Sequence, residues 1–350
     1  MAFTSHYLTC AGREIHYTQW GAQHADTVIA WHGLARTGRD MDELAEHLSE
    51  RYRVICPDTI GRGLSQWSTQ PVQEYCLSFY ARIAAELFEQ LRIATAHWVG
   101  TSMGGAIGTV CAAGLMQPAM KGRILSLVLN DNAPKLADAA LARIRAYAGE
   151  PPAFDTVREL EAYFRQVYAP YGWLSDAQWR RLTETSTRRL PNGRVTPHYD
   201  PAMVRQFVNF PRDYDQWPQY DAIDVPVLVL RGAESDLLEK DTVAAMETAI
   251  EAGEPGDFID HVAEDFSGQG GSMDQRQLRA MLVAQTLRHQ NISVLLGPLD
   301  VKLYGERATV KLRVVATGGQ WLPETGRQFD LESHWRIEDG EWICFGAEWQ

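Results

Sequence analysis

A serine hydroxyl becomes a useful nucleophile only where the backbone lifts it clear and a base can take its proton. Gly100-Thr101-Ser102-Met103-Gly104 meets the first condition. The run His97–Val99 enters it as a strand, and the small residues from Gly104 onward leave it as a helix. A strand-to-helix turn of the GxSxG kind strains the serine, and its glycines let backbone segments approach where a Cβ would collide. The helix start behind it offers free N–H groups and a positive dipole end to charge developing on a substrate oxygen. The chemistry implied is acyl transfer through Ser102, with the Met103 amide as one oxyanion donor. Such a serine needs two partners, a histidine base and a carboxylate that orients it.

Two further motifs stand upstream. Trp31-His32-Gly33-Leu34 closes the strand-like run Thr27–Trp31, and Pro57-Asp58-Thr59-Ile60-Gly61-Arg62-Gly63-Leu64-Ser65 follows the run Arg53–Cys56. Together with the GxSxG turn they resemble the α/β-hydrolase superfamily, in order and spacing, over about the first 237 residues. The resemblance implies a mostly parallel sheet flanked by helices. It implies a second oxyanion N–H from Leu34, with His32 bracing its loop. It also implies an acid: Leu230-Arg231-Gly232-Ala233-Glu234-Ser235-Asp236, after a strand over Val225–Leu230, is similar to the family's LxGxxD turn, with Asp236 on the acid position. Glu234 is a nearby substitute, and Asp131, after the strand Ile124–Asn130, stands where some branches of the family carry the acid.

Family members place the histidine on a loop after one more short strand, in a GxGH-like turn before a proline. No such strand, turn or closing helix is recognisable after Asp236. The histidine in that window is His261, within Gly256–Phe266. Two alternatives stand. In one, Phe258 and Ile259 form a degenerate last strand and His261 completes the triad with Ser102 and Asp236. In the other, Phe258, Val262 and Phe266 repeat at helical spacing as the buried face of a helix in a second domain, and His261 rides on that helix. The histidines His6, His16, His24 and His47 lie in early strands or surface segments, His97 enters the strand before the serine, and His198 lies in an inserted segment.

The elements that must position these groups follow from periodicity. Ser78–Leu91, with Phe79, Ile83, Leu87 and Leu91 at helical spacing, reads as a crossover helix. From about Lys135 to Ala222 the chain is helical, aromatic and punctuated by proline, which predicts a cap over the sheet. Most of its aromatics form the cap's own core, and a few face the substrate. After Asp236 the pattern changes. Helices over Asp241–Ala252, about Asp257–Phe266 and Asp274–Gln290 precede alternating strands over Ile292–Leu303, Ala308–Val314, Gln328–Ile337 and Trp342–Trp349. This predicts a separate α+β domain over 238–350, and leaves Val225–Leu230 as an edge strand.

The helical opening, Gly297-Pro298-Leu299, the turn Gly305–Val310 and the hairpin Trp335 to Trp342 with its Asp339-Gly340 turn resemble the nuclear transport factor two superfamily, shared with ketosteroid-isomerase-like proteins. The resemblance implies a cone-shaped sheet around an apolar pocket and a homodimer through the sheet's open face. By residue type it makes His261, Asp265, His289 and His334 pocket candidates, with a surface or helix-face role as the alternative.

Composition narrows the partners. The 350 residues suffice for two cores, and 45% hydrophobic with 22% charged residues is ordinary for a globular protein. A net charge of −12 argues against nucleic acid and anionic membrane, both of which demand clustered Lys and Arg. The first residues show no signal-peptide pattern and no apolar run approaches a membrane span, so a cytoplasmic location is expected. Five scattered cysteines fit neither a zinc site nor a disulfide framework, and Cys56 and Cys111 read as core residues. No metal or cofactor is expected. The functions that follow are a serine hydrolase of small esters, lactones or related acyl compounds, or a hydrolase-fold protein without effective turnover whose second domain serves ligand binding or dimerisation.

Overall fold

The computed structural model describes residues 3–232, 235–251, 262–278, 293–296, 300–317, 327–338 and 341–349. The chain divides into two compact units, Met1–Lys240 and Asp241–Gln350.

In the first unit the apolar runs become β1 (Thr4–Cys10), β2 (Arg13–Trp20), β3 (Thr27–Trp31), β4 (Arg53–Pro57), β5 (Ala96–Thr101) and β6 (Ile124–Asn130). The cap carries a short hairpin of β7 (Thr187–Arg189) and β8 (Val195–Pro197), and β9 (Val227–Leu230) follows it. The main sheet runs β1-β2-β4-β3-β5-β6-β9. Its first two pairings are antiparallel and the rest parallel. β9 ends this order, with Leu228 and Leu230 exposed. Strand order reverses between β3 and β5, and in open α/β sheets ligands bind outside the carboxyl ends of the strands at such a switch point.

Tight packing fixes that point. Every residue of β3 is buried, and Trp31 stacks on Trp98 with ring centroids 5.2 Å apart. Helix Met103–Ala113 is buried along its whole length. It can approach the sheet so closely because a Cβ at Gly108 would stand 2.5 Å from the Trp98 indole nitrogen. The amphipathic helix occupies Leu77–Gln90. In the cap, helices Val157–Val167 and Asp176–Thr185 pack around a core of Leu160, Phe164, Tyr168, Trp179 and Val195, so several of the aromatics do form the cap's own core, while helix Asp138–Gly149 packs on the turn Pro201–Arg205. The β7–β8 hairpin is an addition to the helical cap that periodicity predicts. Its strands are three residues each, too short to show alternation. All five cysteines are free and buried.

Helix Lys240–Glu251 straddles the boundary between the units. The second unit is sheet-rich: β10 (Val262–Gly268), β11 (Met273–Asp274), β12 (Ser293–Leu296), β13 (Asp300–Tyr304), β14 (Arg307–Thr317), β15 (Arg327–Glu338) and β16 (Glu341–Trp349). The order is β11-β10-β16-β15-β14-β12, with β13 also paired to β14. Glu338 faces Glu341 across the β15–β16 pair, and the turn expected at Asp339-Gly340 lies outside the described residues.

One expectation fails here. The helix expected over about Asp257–Phe266 is, from Val262 onward, strand β10, paired parallel to β16. A spacing of four residues satisfies both periods, so Val262 and Phe266 share one face of a strand as readily as one face of a helix. Both are buried, in a core with Leu278 and Cys344. Of the helix expected over Asp274–Gln290, residues 275–278 are helical and 279–290 lie outside the described residues. Asp265 points outward into a two-pronged ion pair with Arg336, and His334 lies 3.4 Å from the Thr309 hydroxyl. His289 is outside the described set. Among the described residues no helix is long and apolar enough to cross a membrane, and no group of His, Cys, Asp and Glu could hold a metal ion.

Candidate active site

Ser102 has φ 51° and ψ −117°, a conformation that residues bearing a Cβ avoid. Strain of this kind costs about 1–3 kcal/mol and persists only where the surroundings over-determine it. Here they do. The Ser102 N–H donates to the Asn130 carbonyl at 2.9 Å, and the Ser102 carbonyl accepts from Gly105 at 2.8 Å and Ala106 at 3.0 Å, which starts the helix. A Cβ at Gly100 would stand 2.3 Å from the Gly104 carbonyl, and one at Gly104 would stand 2.2 Å from the Trp31 carbonyl. The two glycines of the motif are therefore needed for contact between the turn, its helix and β3.

The second wall is the loop after β3. His32 is fully buried, its Nδ1 2.6 Å from the Gly33 carbonyl and its Nε2 3.0 Å from the Thr59 N–H. Burial, partly opposed by Asp58, pushes its pKa down to about 4. The ring is thus neutral at pH 7, donating from Nδ1 and accepting at Nε2, which leaves it no part as a base. Among the described residues, neither the Leu34 nor the Met103 N–H enters a backbone hydrogen bond outside regular elements.

Arg62, fully buried, holds both of these residues. Its Nε donates to the Leu34 carbonyl at 2.9 Å, and its Nη2 lies 3.4 Å from the Met103 sulfur. Nη1 donates to the Ile60 carbonyl at 2.7 Å and to the Tyr80 hydroxyl at 3.1 Å. The sequence signal was an arginine between the two glycines of the Gly61-Arg62-Gly63 turn, but nothing local says where its guanidinium points.

The two acid candidates are placed differently. Asp236 follows β9 with its side chain 62% exposed, accepting from Arg143 of the cap at 2.7 Å. Asp131 directly follows Asn130, whose carbonyl holds the Ser102 N–H, and has φ 53°. Its Oδ1 is buried with no hydrogen-bond partner. Glu234 and His261 lie outside the described residues. Among the described histidines none is hydrogen-bonded to Ser102, Asp131 or Asp236: His97, for example, pairs with the Ser126 hydroxyl at 2.8 Å.

A second Ser–His–Asp chain exists on the far edge of the sheet. Ser5 Oγ lies 2.7 Å from His16 Nε2, and His16 Nδ1 lies 2.7 Å from Asp58 Oδ2. Ser5 sits within extended β1, with no helix start behind it to receive an oxyanion. Asp58 is instead a turn anchor, accepting from the Gly38 and Leu64 N–H groups at 2.6 and 2.9 Å. A hollow of about 210 Å³ lined by Asp26, Arg53, Arg92 and His97 lies at the amino ends of the strands, the wrong end for the Ser102 chemistry.

Comparison with known proteins agrees with this geometry. The alpha/beta hydrolase fold family matches residues 26–252. A 3-hydroxybutyrate-oligomer hydrolase of Cupriavidus necator is 38% identical over 240 residues, 66% of this chain and 80% of that protein. A 2-(acetamidomethylene)succinate hydrolase of Mesorhizobium japonicum is 28% identical over 62% of this chain and 74% of its own. Among solved structures, an α/β hydrolase from Novosphingobium aromaticivorans superposes with a TM-score of 0.63 at 31% identity, covering 73% of this chain and 89% of that one.

Proposed function

Since the chain belongs to the α/β-hydrolase fold family and is a hydrolase, we propose that it cleaves small esters, lactones or related acyl compounds through nucleophilic attack by Ser102. The observation that carries this reading is the strained φ of Ser102 at a helix start, facing the Leu34 loop. The Ser102 Oγ attacks the acyl carbon, and the oxygen that gains charge is received by the Met103 and Leu34 N–H groups. Arg62 keeps those two residues in register. Asp236 is the acid in this reading, orienting a histidine base that takes the Ser102 proton and returns it to the leaving alcohol. The relative named for 3-hydroxybutyrate oligomers makes short hydroxyacyl esters the first substrates to try.

A fluorophosphonate probe tests the nucleophile directly. The folded protein is expected to label rapidly, Ser102→Ala to lose the label, and Ser5→Ala to keep it. Absence of labelling in folded protein, or its loss with Ser5, would remove Ser102 from the mechanism.

The acid is tested by asparagine substitution. Asp236→Asn is expected to lower kcat by about 10⁴-fold, the loss for an acid that fixes the histidine tautomer. Asp131→Asn should cost less than about tenfold on the same scale. The opposite ranking in steady-state kinetics would move the acid to the end of β6, where the unpaired Asp131 Oδ1 is already buried beside the elbow.

For the second unit we take the nuclear transport factor two-like fold as the reading, supported by the long antiparallel β14–β15–β16 sheet. Dimerisation through that sheet belongs to the same proposal.

A further inference from the structure

We propose that Arg36 selects the substrate, gripping with its free Nη1 a second carbonyl oxygen one repeat beyond the ester bond that Ser102 attacks. The inference rests on the ester-hydrolase reading and adds a substrate class to it: esters whose alcohol portion carries another carbonyl, as every internal unit of a hydroxy-acid oligomer does.

Arg36 lies two residues past Leu34, on the loop that faces the elbow. A Cβ placed on Gly33 would stand 3.7 Å from the Ser102 Cβ and 3.9 Å from the Arg36 Cγ. The Ser102 Cβ and the Arg36 Cγ therefore both neighbour Gly33, each within 4 Å of where its Cβ would stand. The guanidinium lies under the cap, 4.7 Å from the Tyr168 ring centre and 5.7 Å from that of Phe164. Its Nε and Nη2 donate to the two carboxylate oxygens of Asp40, each at 2.6 Å.

Nη1 has no hydrogen-bond partner, although Arg36 is only 4% exposed. Buried donors on a charged group are almost always satisfied, because leaving one unpaired forfeits its hydration without replacement. A substrate oxygen would supply what is missing. Asp40 already neutralises the guanidinium, so the site offers a strong donor with little net charge. That favours an uncharged carbonyl oxygen, since a carboxylate would bring a second buried anion close to Asp40. The Ser102 mechanism makes no use of Arg36.

The test uses the full chain and three esters of 3-hydroxybutyrate that share one acyl group. Their alcohol portions are methyl 3-hydroxybutyrate, free 3-hydroxybutyrate and 2-pentanol, presenting an ester carbonyl, a carboxylate and no second oxygen. Wild type is expected to prefer the methyl-ester dimer over the pentyl ester by about tenfold or more in kcat/KM, the size of one hydrogen bond to a charged donor. Arg36→Met should collapse that ratio, chiefly through KM, and Arg36→Lys, which keeps a cation beside Asp40, should restore part of it. If the free acid loses most on Arg36→Met, the grip stands and the oxygen held is the chain-terminal carboxylate. An equal fall on all three esters means that Arg36 only braces the cap, and overturns the proposal. Equal wild-type turnover of all three also overturns it while leaving Ser102 in place; turnover of none overturns the ester reading itself.

Discussion

Ser102→Ala should abolish ester turnover, by about 10⁴-fold or more in kcat, while melting where the wild type melts. Ser102→Gly should be equally inactive and melt higher. The difference lies in the backbone. Alanine keeps the Cβ that makes φ 51° unfavourable, whereas glycine adopts that angle freely. Relief of about 1–3 kcal/mol of strain outweighs the about 0.5–1 kcal/mol that glycine's freedom adds to the unfolded chain. For a unit of this size a net 1 kcal/mol moves Tm by about 2–4 °C. Differential scanning calorimetry of the two variants checks it. A glycine variant that melts below the alanine variant would show that the elbow stores no strain, and residual turnover above about a hundredth of wild type would show that Ser102 is not the nucleophile.

The largest loss of stability is expected at Asp58. Its buried carboxylate accepts from the Gly38 and Leu64 N–H groups and from His16. Asparagine offers one oxygen and points an NH2 at a donor, so Asp58→Asn should cost about 1.5–3 kcal/mol for each hydrogen bond to the carboxylate that is lost. The same site predicts a pH dependence. Burial alone would raise the Asp58 pKa, but the His16 hydrogen bond and charge, with nearby His32 and the Leu64 N–H, bring it below its ordinary 3.8. A carboxyl held low in the folded state contributes stability fully above its unfolded pKa, and that contribution is lost as pH falls through the folded value. Wild type and Asp58→Asn should thus differ most above about pH 4, and their urea midpoints should converge as the pH falls below it. A gap that stays constant down to pH 2 would remove the charge from the explanation.

Both predictions start from short motifs legible in the sequence, and the reason is local. A turn that brings other atoms within about 2.3 Å of where a Cβ would stand has to place glycine there, as the Gly104 carbonyl does at Gly100, the Trp31 carbonyl at Gly104 and the Asp58 carboxylate at Gly63, so these glycines mark their turns in the sequence. Thr27–Trp31 reads as a strand because all of its residues are buried, and Ile124–Asn130 because Leu127 and Leu129 are buried in alternation. Val262 and Phe266 misled because a four-residue spacing fits helix and strand alike, and only pairing to β16 decides between them.

By itself, then, the sequence determined the fold of the first unit, the elbow and the loop that faces it, because glycine and alternation are constraints written residue by residue. The tertiary structure alone decided where long side chains end. Asp236 could be placed after its strand from the sequence, but its pairing with Arg143 in solvent arises from cap packing. Arg62 reaching both Leu34 and Met103, Asp131 with a buried unpaired oxygen, and Arg36 under the cap with one nitrogen lacking a hydrogen-bond partner each depend on segments far apart in the chain. A guanidinium or carboxylate is directed by whatever surrounds its tip, and those surroundings exist only once the chain has folded.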